Sequence, residues 1–393
     1  MGIELNEDQI FGIYDAENWW HKQEKQVFEI SGGAGTGKTT MILYLIEKLG
    51  LKLENVLFVA FMGKAVSVLS KHGLPAKTIH STIYKYVKEP EYDENGKKVR
   101  TETGKVKMKL TKQLKANVGK HVKLIVIDEG SMVSKDIAED LLSFGIPVIV
   151  LGDLNQLPPV FGNPYFLNKP DVVLRKIMRQ AEDNPIIWLA QEILNGHRLR
   201  TGVYGHSAVV NRDELNSANF DQTDICLTGT NELRYMTNKF YRESLYRIER
   251  LDYPHMREKI ICRKNNWSKE VDGFYLTNGT TGIVSHIEKS SCNGKTMIMD
   301  FKPDFTKNSF KNIKFDYKHL NAKFGEEDDP FMALDSDINK IEYAYAITVH
   351  SSQGSQWERV LLMGERFMNN LQDHRRFMYT GITRASEMIT IAI

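Results

Sequence analysis

EISGGAGTGKTT, residues 29–40, decides how the chain is to be read. A strand-like run, QVFEIS (26–31), leads into glycines, and a helical pattern opens at Lys38. Gly32 to Thr40 fits G-x-x-x-x-G-K-[ST] in the strand–loop–helix setting that this pattern requires. Its glycines let backbone N–H groups close around phosphate oxygens, and the helix N-terminus adds a favourable dipole. A nucleoside triphosphate site follows, lined by Gly33, Ala34, Gly35, Thr36, Gly37, Lys38, Thr39 and Thr40. Lys38 is expected to reach the β- and γ-phosphates and the Thr39 hydroxyl to hold Mg²⁺. The alternative is a plain glycine-rich turn.

Working outward, short Val/Ile/Leu-rich runs recur with helical patterns between them: NVLFVAF (55–61), KLIVI (123–127), PVIVLG (147–152), ICLTG (225–229), RVLLMG (359–364) and ITIAI (389–393). Such runs read as strands buried on both faces, hence parallel sheets covered by helices. They cluster before about residue 160 and after about 220, so two α/β domains are expected. Residues 85–120 are Lys-rich and carry Asn95-Gly96, the signal of a β-hairpin. Residues 271–340 hold Asn278-Gly279, short β-like pieces and an acidic stretch from Glu326 to Asp329, which reads as a small β-rich insertion.

Two adjacent acids end the run KLIVIDEGSM. Asp128 is placed to hold Mg²⁺ through its water shell, and Glu129 to orient and deprotonate an attacking water. A loop start is the bland alternative. An Asp-Glu pair also favours hydrolysis over transfer to a substrate hydroxyl. In LGDLNQLPPVFG (151–162), Gln156 either touches γ-phosphate and water or is a plain loop amide. Asn6 and Gln9 have the spacing of a capping box; the competing reading has Gln9 read an adenine edge.

Composition bounds the partners. Net charge is +2 over 393 residues, so nothing global marks nucleic acid. Locally, Lys97 to Lys120 holds nine Lys or Arg and one acid, Glu102: a solvated face or a phosphate-contacting arm. No apolar run approaches the roughly 20 residues that span a bilayer. The start, MGIELNEDQI, is not a secretory signal, and Asn6 stands where a myristoylation signal wants Ser or Thr. Cys226, Cys262 and Cys292 form neither metal-ligand spacing nor a disulfide framework. A cytoplasmic location is expected, the host cytoplasm if the chain is phage-encoded.

The succession GGAGTGKTT, FMGKA, TIHS, DEGSM, GDLNQLPPV, IMRQAEDNPI, TNELRYMTN, ITVHSSQG and YTGITRA resembles superfamily 1 helicases of the RecD and phage Dda type, over nearly the whole chain. The resemblance implies an α/β fold of two RecA-like P-loop parallel-sheet cores with ATP between them. The first core takes 1–84 and 121–170, and the second 171–270 and 341–393. A pin-like hairpin is inserted at 85–120 and a small SH3-like β-barrel at 271–340. It implies that Arg179 and Arg384 enter the cleft as arginine fingers, worth on the order of 10³ to 10⁵ in rate, and that Glu358 lies near the nucleotide sugar.

It further implies a single strand gripped across both cores, by Phe61, Lys64, Thr78 and His80 from the first and Asn231, Thr348 and His350 from the second. Hydroxyls, amides and cations suit phosphates, and rings suit bases; Phe61 is otherwise core, and the histidines otherwise structural. The implied activity is ATP-dependent, Mg²⁺-requiring unwinding of DNA, 5′ to 3′, by a monomer. Its substrates would be single-stranded DNA and single/double-strand junctions, and its partners single-strand-binding, replication or recombination proteins. The alternatives are a protein-displacing translocase, the helicase subunit of a nuclease complex, or an ATP-gated strand-binding module. The sequence departs from the family pattern at Gly130, where Ala is usual, at Met62, which replaces a hydroxyl, and at Ser351 and Ser386, where polar or cationic contacts are common.

Overall fold

The quoted apolar runs become strands in a computed structural model that describes residues 5–100, 104, 106–158, 164–178, 183–248, 254–292, 296–316, 320, 338–366 and 370–393. Arg179, Pro159 and the acidic stretch Glu326 to Asp329 lie outside the described residues.

The first sheet takes β1 (Val27–Gly32), β2 (Val56–Ala60) and β3 (Ala76–Thr78). The hairpin strands β4 (Tyr84–Pro90) and β5 (Met108–Leu114) follow, and then β6 (Leu124–Asp128), β7 (Val148–Gly152) and β8 (Val172–Leu174) complete the sheet. Its order is β3-β2-β6-β7-β1-β8, and every pairing is parallel. Helices cover both faces, which is why β7 is buried at all five positions and tolerates no polar residue before Asp153. Ser31 pairs with Gly152, and Ile127 with Val150. The carboxyl ends of β1, β7 and β6 therefore share one edge, where ligands of open α/β sheets bind.

The second sheet takes β9 (Gly202–Tyr204), β10 (Ser207–Val210) and β11 (Ile225–Thr228). Between them and the rest come β12 (Lys259–Cys262), β13 (Asn266–Val271), β14 (Phe274–Leu276), β15 (Thr281–Cys292), β16 (Thr296–Pro303), β17 (Phe310–Asp316) and β18 (Ile341–Tyr343). The sheet then closes with β19 (Ala346–Thr348), β20 (Trp357–Met363) and β21 (Ala385–Ala392), in the order β19-β11-β20-β21-β10-β9. Its pairings are parallel except for β9 with β10.

The intervening strands form an antiparallel sheet, β17-β16-β15-β12-β18, with β13–β14 as a separate ribbon. This sheet begins at Lys259 and ends at Tyr343, so it reaches beyond the expected 271–340 on both sides. The reason is structural: β12 and β18 pair with each other and form the two-stranded stem that carries the insertion. Phe301, Phe310 and Phe315 of the insertion share one apolar cluster with Cys226 and Leu361 of the second sheet. Cys226 and Cys262 are buried free thiols.

Gly130 has a packing reason. A methyl built there overlaps the Val150 side chain, so the missing Cβ is filled from β7. Gly130→Ala is expected to destabilise the chain by about 1–3 kcal/mol through overpacking, with Val150→Ala in the same chain recovering much of it. Denaturant unfolding of both variants checks this, and additive losses would contradict it.

Candidate functional site

At the shared edge, Gly35 (φ 78°) and Gly37 (φ 73°) adopt left-handed conformations that side chains resist, and the loop wraps tightly between them. The buried Thr36 hydroxyl donates to the Gly33 carbonyl (2.9 Å). Lys38 opens the helix Lys38–Lys48 and bends its ammonium back onto the carbonyls of Gly32 (2.6 Å) and Gly33 (3.2 Å). A lone ammonium held on carbonyls at a helix N-terminus is a site suited to phosphate oxygens.

Gln9 is fully buried. It closes the capping box with Asn6, and its amide donates to the Thr36 carbonyl (3.0 Å). The cap reading therefore holds, and Gln9 also braces the loop from below. An adenine edge would compete with both contacts.

Asp128 and Glu129 stand at the end of β6. Burial, then the Glu129 charge, push the Asp128 carboxyl up to about 6, while Lys38 and Arg384 pull it back. Two crowded carboxylates facing few cations fit a divalent ion, and Asp128 with Thr39 would hold Mg²⁺ there. Glu129 carries a positive φ of 54°, strained for a residue with a side chain. Strain of this kind costs roughly 1–3 kcal/mol and clusters at functional sites.

The second core enters this edge through the helix Leu371–Ile382. The buried Tyr379 hydroxyl accepts from the Ala34 N–H of the phosphate loop (2.8 Å) and donates to Asp153 beyond β7 (2.7 Å). Burial and Asp153 raise its pKa well above the ordinary value, so it remains a donor. Beside it, Leu157 N–H donates to the Thr380 hydroxyl (2.8 Å), and Gln353 donates to the Leu157 carbonyl (2.5 Å).

Arg384 is buried and fixed by the carbonyls of Thr380 and Ser355 and the Thr383 hydroxyl. Lys38, Glu129 and Arg384 thus all act on Asp128. Met178 N–H donates to the Gly35 carbonyl (2.9 Å), which seats the chain just before Arg179 on the phosphate loop. Gln156 is half-buried in the turn after Asp153. Glu358 lies exposed on β20, and no contact among the described residues ties it to the loop.

Sequence reasoning missed Asp153 and Tyr379. Both sit inside quoted motifs, but nothing in a one-dimensional pattern pairs positions 226 residues apart.

The residues expected to grip a strand fall into a second region. Phe61 lies edge-on to His80 (5.5 Å), and His80 stacks on Trp267 (5.0 Å). Trp267 in turn stacks on Tyr86 of the hairpin (4.8 Å), which meets Tyr275 (5.1 Å). One aromatic column thus joins the first core, the hairpin and the insertion, and the rings expected to receive bases face one another. Burial, then Lys112, lower the His80 imidazole to about 4, so it is uncharged at neutral pH.

Lys64, also expected to grip the strand, is enclosed. Its ammonium lies over the Trp357 ring (3.4 Å), 3.6 Å from Asp304 and without a hydrogen bond, and burial brings it down to about 8. The insertion and the second core together explain this: Phe305 and Phe274 pack on Gly63, and Met62 abuts Gly279 of the insertion and Gly354 of the second core. Thr78 caps the helix Ile79–Ile83. Across the second core, the Thr348 hydroxyl meets that of Ser351 (2.9 Å), Asn231 accepts from Arg234 (3.2 Å), and burial lowers the pKa of His350.

Among the described residues no helix is long and apolar enough to cross a membrane. Lys107, Lys112 and Lys115 of the basic run are engaged with Glu91, the Tyr84 ring and the Ser81 carbonyl.

Residues 19–162 match the family described as an AAA domain, and residues 343–391 a UvrD-like helicase C-terminal domain. The chain is 33% identical to uncharacterized protein R530 of Acanthamoeba polyphaga mimivirus, over 94% of this chain and 95% of that one. It is 25% identical to the ATP-dependent RecD2 DNA helicase of Deinococcus radiodurans, over 91% of this chain, and spans 46% of that protein. It spans 36% of uncharacterized protein MJ1519 of Methanocaldococcus jannaschii, at 24% identity. The fold is shared with a Pif1 helicase solved in a study of DNA unwinding at forked double-stranded DNA (TM-score 0.51, 20% identity, covering 98% of this chain and 92% of that one).

His80 gives a pH test. The fold keeps it neutral down to about 4, whereas an unfolded chain protonates it at about 6.5. Stability is therefore lost as pH falls between those values, by at most about 3.4 kcal/mol. His80→Phe is expected to flatten that fall in melts from pH 7 to 4; an unchanged slope would contradict it.

Proposed function

The chain belongs to the superfamily 1 helicases of the RecD and Dda type, and from that premise we propose that it is an ATP-hydrolysing motor that moves 5′ to 3′ on single-stranded DNA and separates duplex ahead of it. The observation that carries the reading is the Tyr379 bridge, through which the second core takes hold of both the phosphate loop and the turn after β7. A cleft completed from two bodies lets nucleotide state set their relation.

In this mechanism Lys38 and the loop N–H groups hold the phosphates, and Glu129 takes the proton of the attacking water. Gln156 positions that water, while Arg384 and Arg179 neutralise charge developing on the γ-phosphate. Thr39 and Asp128 would hold Mg²⁺, which when bound would supply further charge neutralisation at the phosphates. Opening a base-pair step costs about 1.4 kcal/mol on average. A static grip meets that cost once, and a cycling cleft meets it at each step.

Phe61, Thr78 and His80 would face the strand from the first core once the aromatic column parts, and Asn231, Thr348 and His350 from the second. Lys64 is better placed to lock the insertion to the first core than to bind phosphate. The hairpin serves as the separating pin, and the antiparallel insertion as an SH3-like barrel. The motor works as a monomer in the cytoplasm.

The test is a pair of fluorescent forks. Duplex with a 5′ tail is expected to separate with ATP and Mg²⁺, and Lys38→Ala to abolish phosphate release while keeping the fold. Opening of 3′-tailed duplex alone would reverse the polarity. Phosphate release without opening of either fork would leave a translocase.

A further inference from the structure

Where the second sheet ends toward the region proposed to face the strand, three charged side chains meet. Glu342 on β18 accepts from Arg234 (2.5 Å), on the helix Asn231–Phe240, and from Arg263 (2.5 Å), just after β12. Two guanidinium groups and one carboxylate leave a net positive charge. Their side chains are 14%, 18% and 23% exposed, enclosed but within reach of solvent.

Polar groups of a kind that binds phosphate surround them. Arg263 also donates to the Ser351 hydroxyl (3.1 Å), which meets that of Thr348 (2.9 Å), and Arg234 donates to the Asn231 amide oxygen (3.2 Å). Burial lowers the pKa of Arg234, and the neighbouring Arg263 adds to this against Glu342. Both guanidinium groups share the one Glu342 Oε2 atom, an arrangement that an incoming anion can join. A guanidinium fork beside hydroxyls suits a tetrahedral oxyanion better than it suits a neutral base.

Resting on the strand-motor reading above, we propose that Arg263, assisted by Arg234, binds a phosphodiester group of the single strand against the Thr348 and Ser351 hydroxyls, in competition with Glu342. The cation is thereby supplied from outside the ITVHSSQG segment, which carries Ser351 where a cation is common. Because Arg263 stands on the stem of the insertion, a phosphate that draws it from Glu342 loosens a tie between β18 and the residues after β12. Strand occupancy is then felt where the insertion joins the core.

The experiment titrates fluorescent oligo-dT into the full chain and its Arg263→Gln and Arg263→Lys variants over a salt series. Strand-free phosphate release serves as the control for folding and should stay at the wild-type level. Arg263→Gln should bind roughly tenfold more weakly, with the slope of log affinity against log salt shallower by about 0.7. Arg263→Lys should keep the wild-type slope.

Equal affinity and slope in all three proteins would overturn the proposal, as would an equal loss in both variants with no change of slope, which marks a purely structural role. A wild-type chain that binds no oligonucleotide would instead overturn the motor reading. Should Arg263→Gln fail to fold, Glu342→Gln decides: tighter binding upholds competition by the carboxylate, and unchanged or weaker binding refutes it.

Discussion

A tyrosine hydroxyl, beside the Leu157–Thr380 and Gln353–Leu157 bonds, ties the nucleotide edge of one core to the other. Tyr379 accepts from a phosphate-loop N–H and donates to Asp153, so both lone-pair and proton capacity are spent across the cleft. Tyr379 and Asp153 are buried and Ala34 is half-buried, so parting the cores exchanges both bonds for bonds to water. The cleft is thereby given a defined closed arrangement, which nucleotide contacts can stabilise or release. Arg384 sits five residues on in the same motif, fixed by three hydrogen bonds. Such pre-organisation makes charge stabilisation effective, because no reorientation is required during reaction.

The region proposed to face the strand has the opposite character. Phe61 and His80 of the first core meet Trp267 of the insertion, while Lys64 is covered by Trp357 and Asp304. Base-stacking surface is satisfied internally by rings and phosphate-binding charge by carboxylates. A strand entering here exchanges one set of contacts for another of like chemistry, so net affinity is a difference between two sizeable terms. The departures at Met62 and Gly130 fit local packing: Met62 fills space against Gly279 and Gly354, and Gly130 makes room for Val150.

Much of this was legible in the sequence. The phosphate loop was readable because its glycines, lysine and threonine are contiguous, and buried parallel strands because their hydrophobicity is uninterrupted. The Asn6–Gln9 cap followed from spacing alone, since a helix end is local. What stayed hidden was non-local. Tyr379 and Asp153 carry no mark of their partnership, nothing around Trp267 marks its stacking partners, and the fate of Lys64 depends on residues more than 200 positions away. The stem of the insertion was not legible because β12 (KIIC) and β18 (IEY) are too short to carry a pattern that sets them apart from the parallel strands around them.

The central claim is that turnover occurs in a cleft completed from the second core. Single-turnover phosphate release by Arg384→Lys, with nucleotide affinity measured alongside, addresses it most directly. Release slowed by about 10³-fold or more with binding retained is the predicted result. Release at the wild-type rate would contradict it, because the first core alone would then suffice for the chemistry.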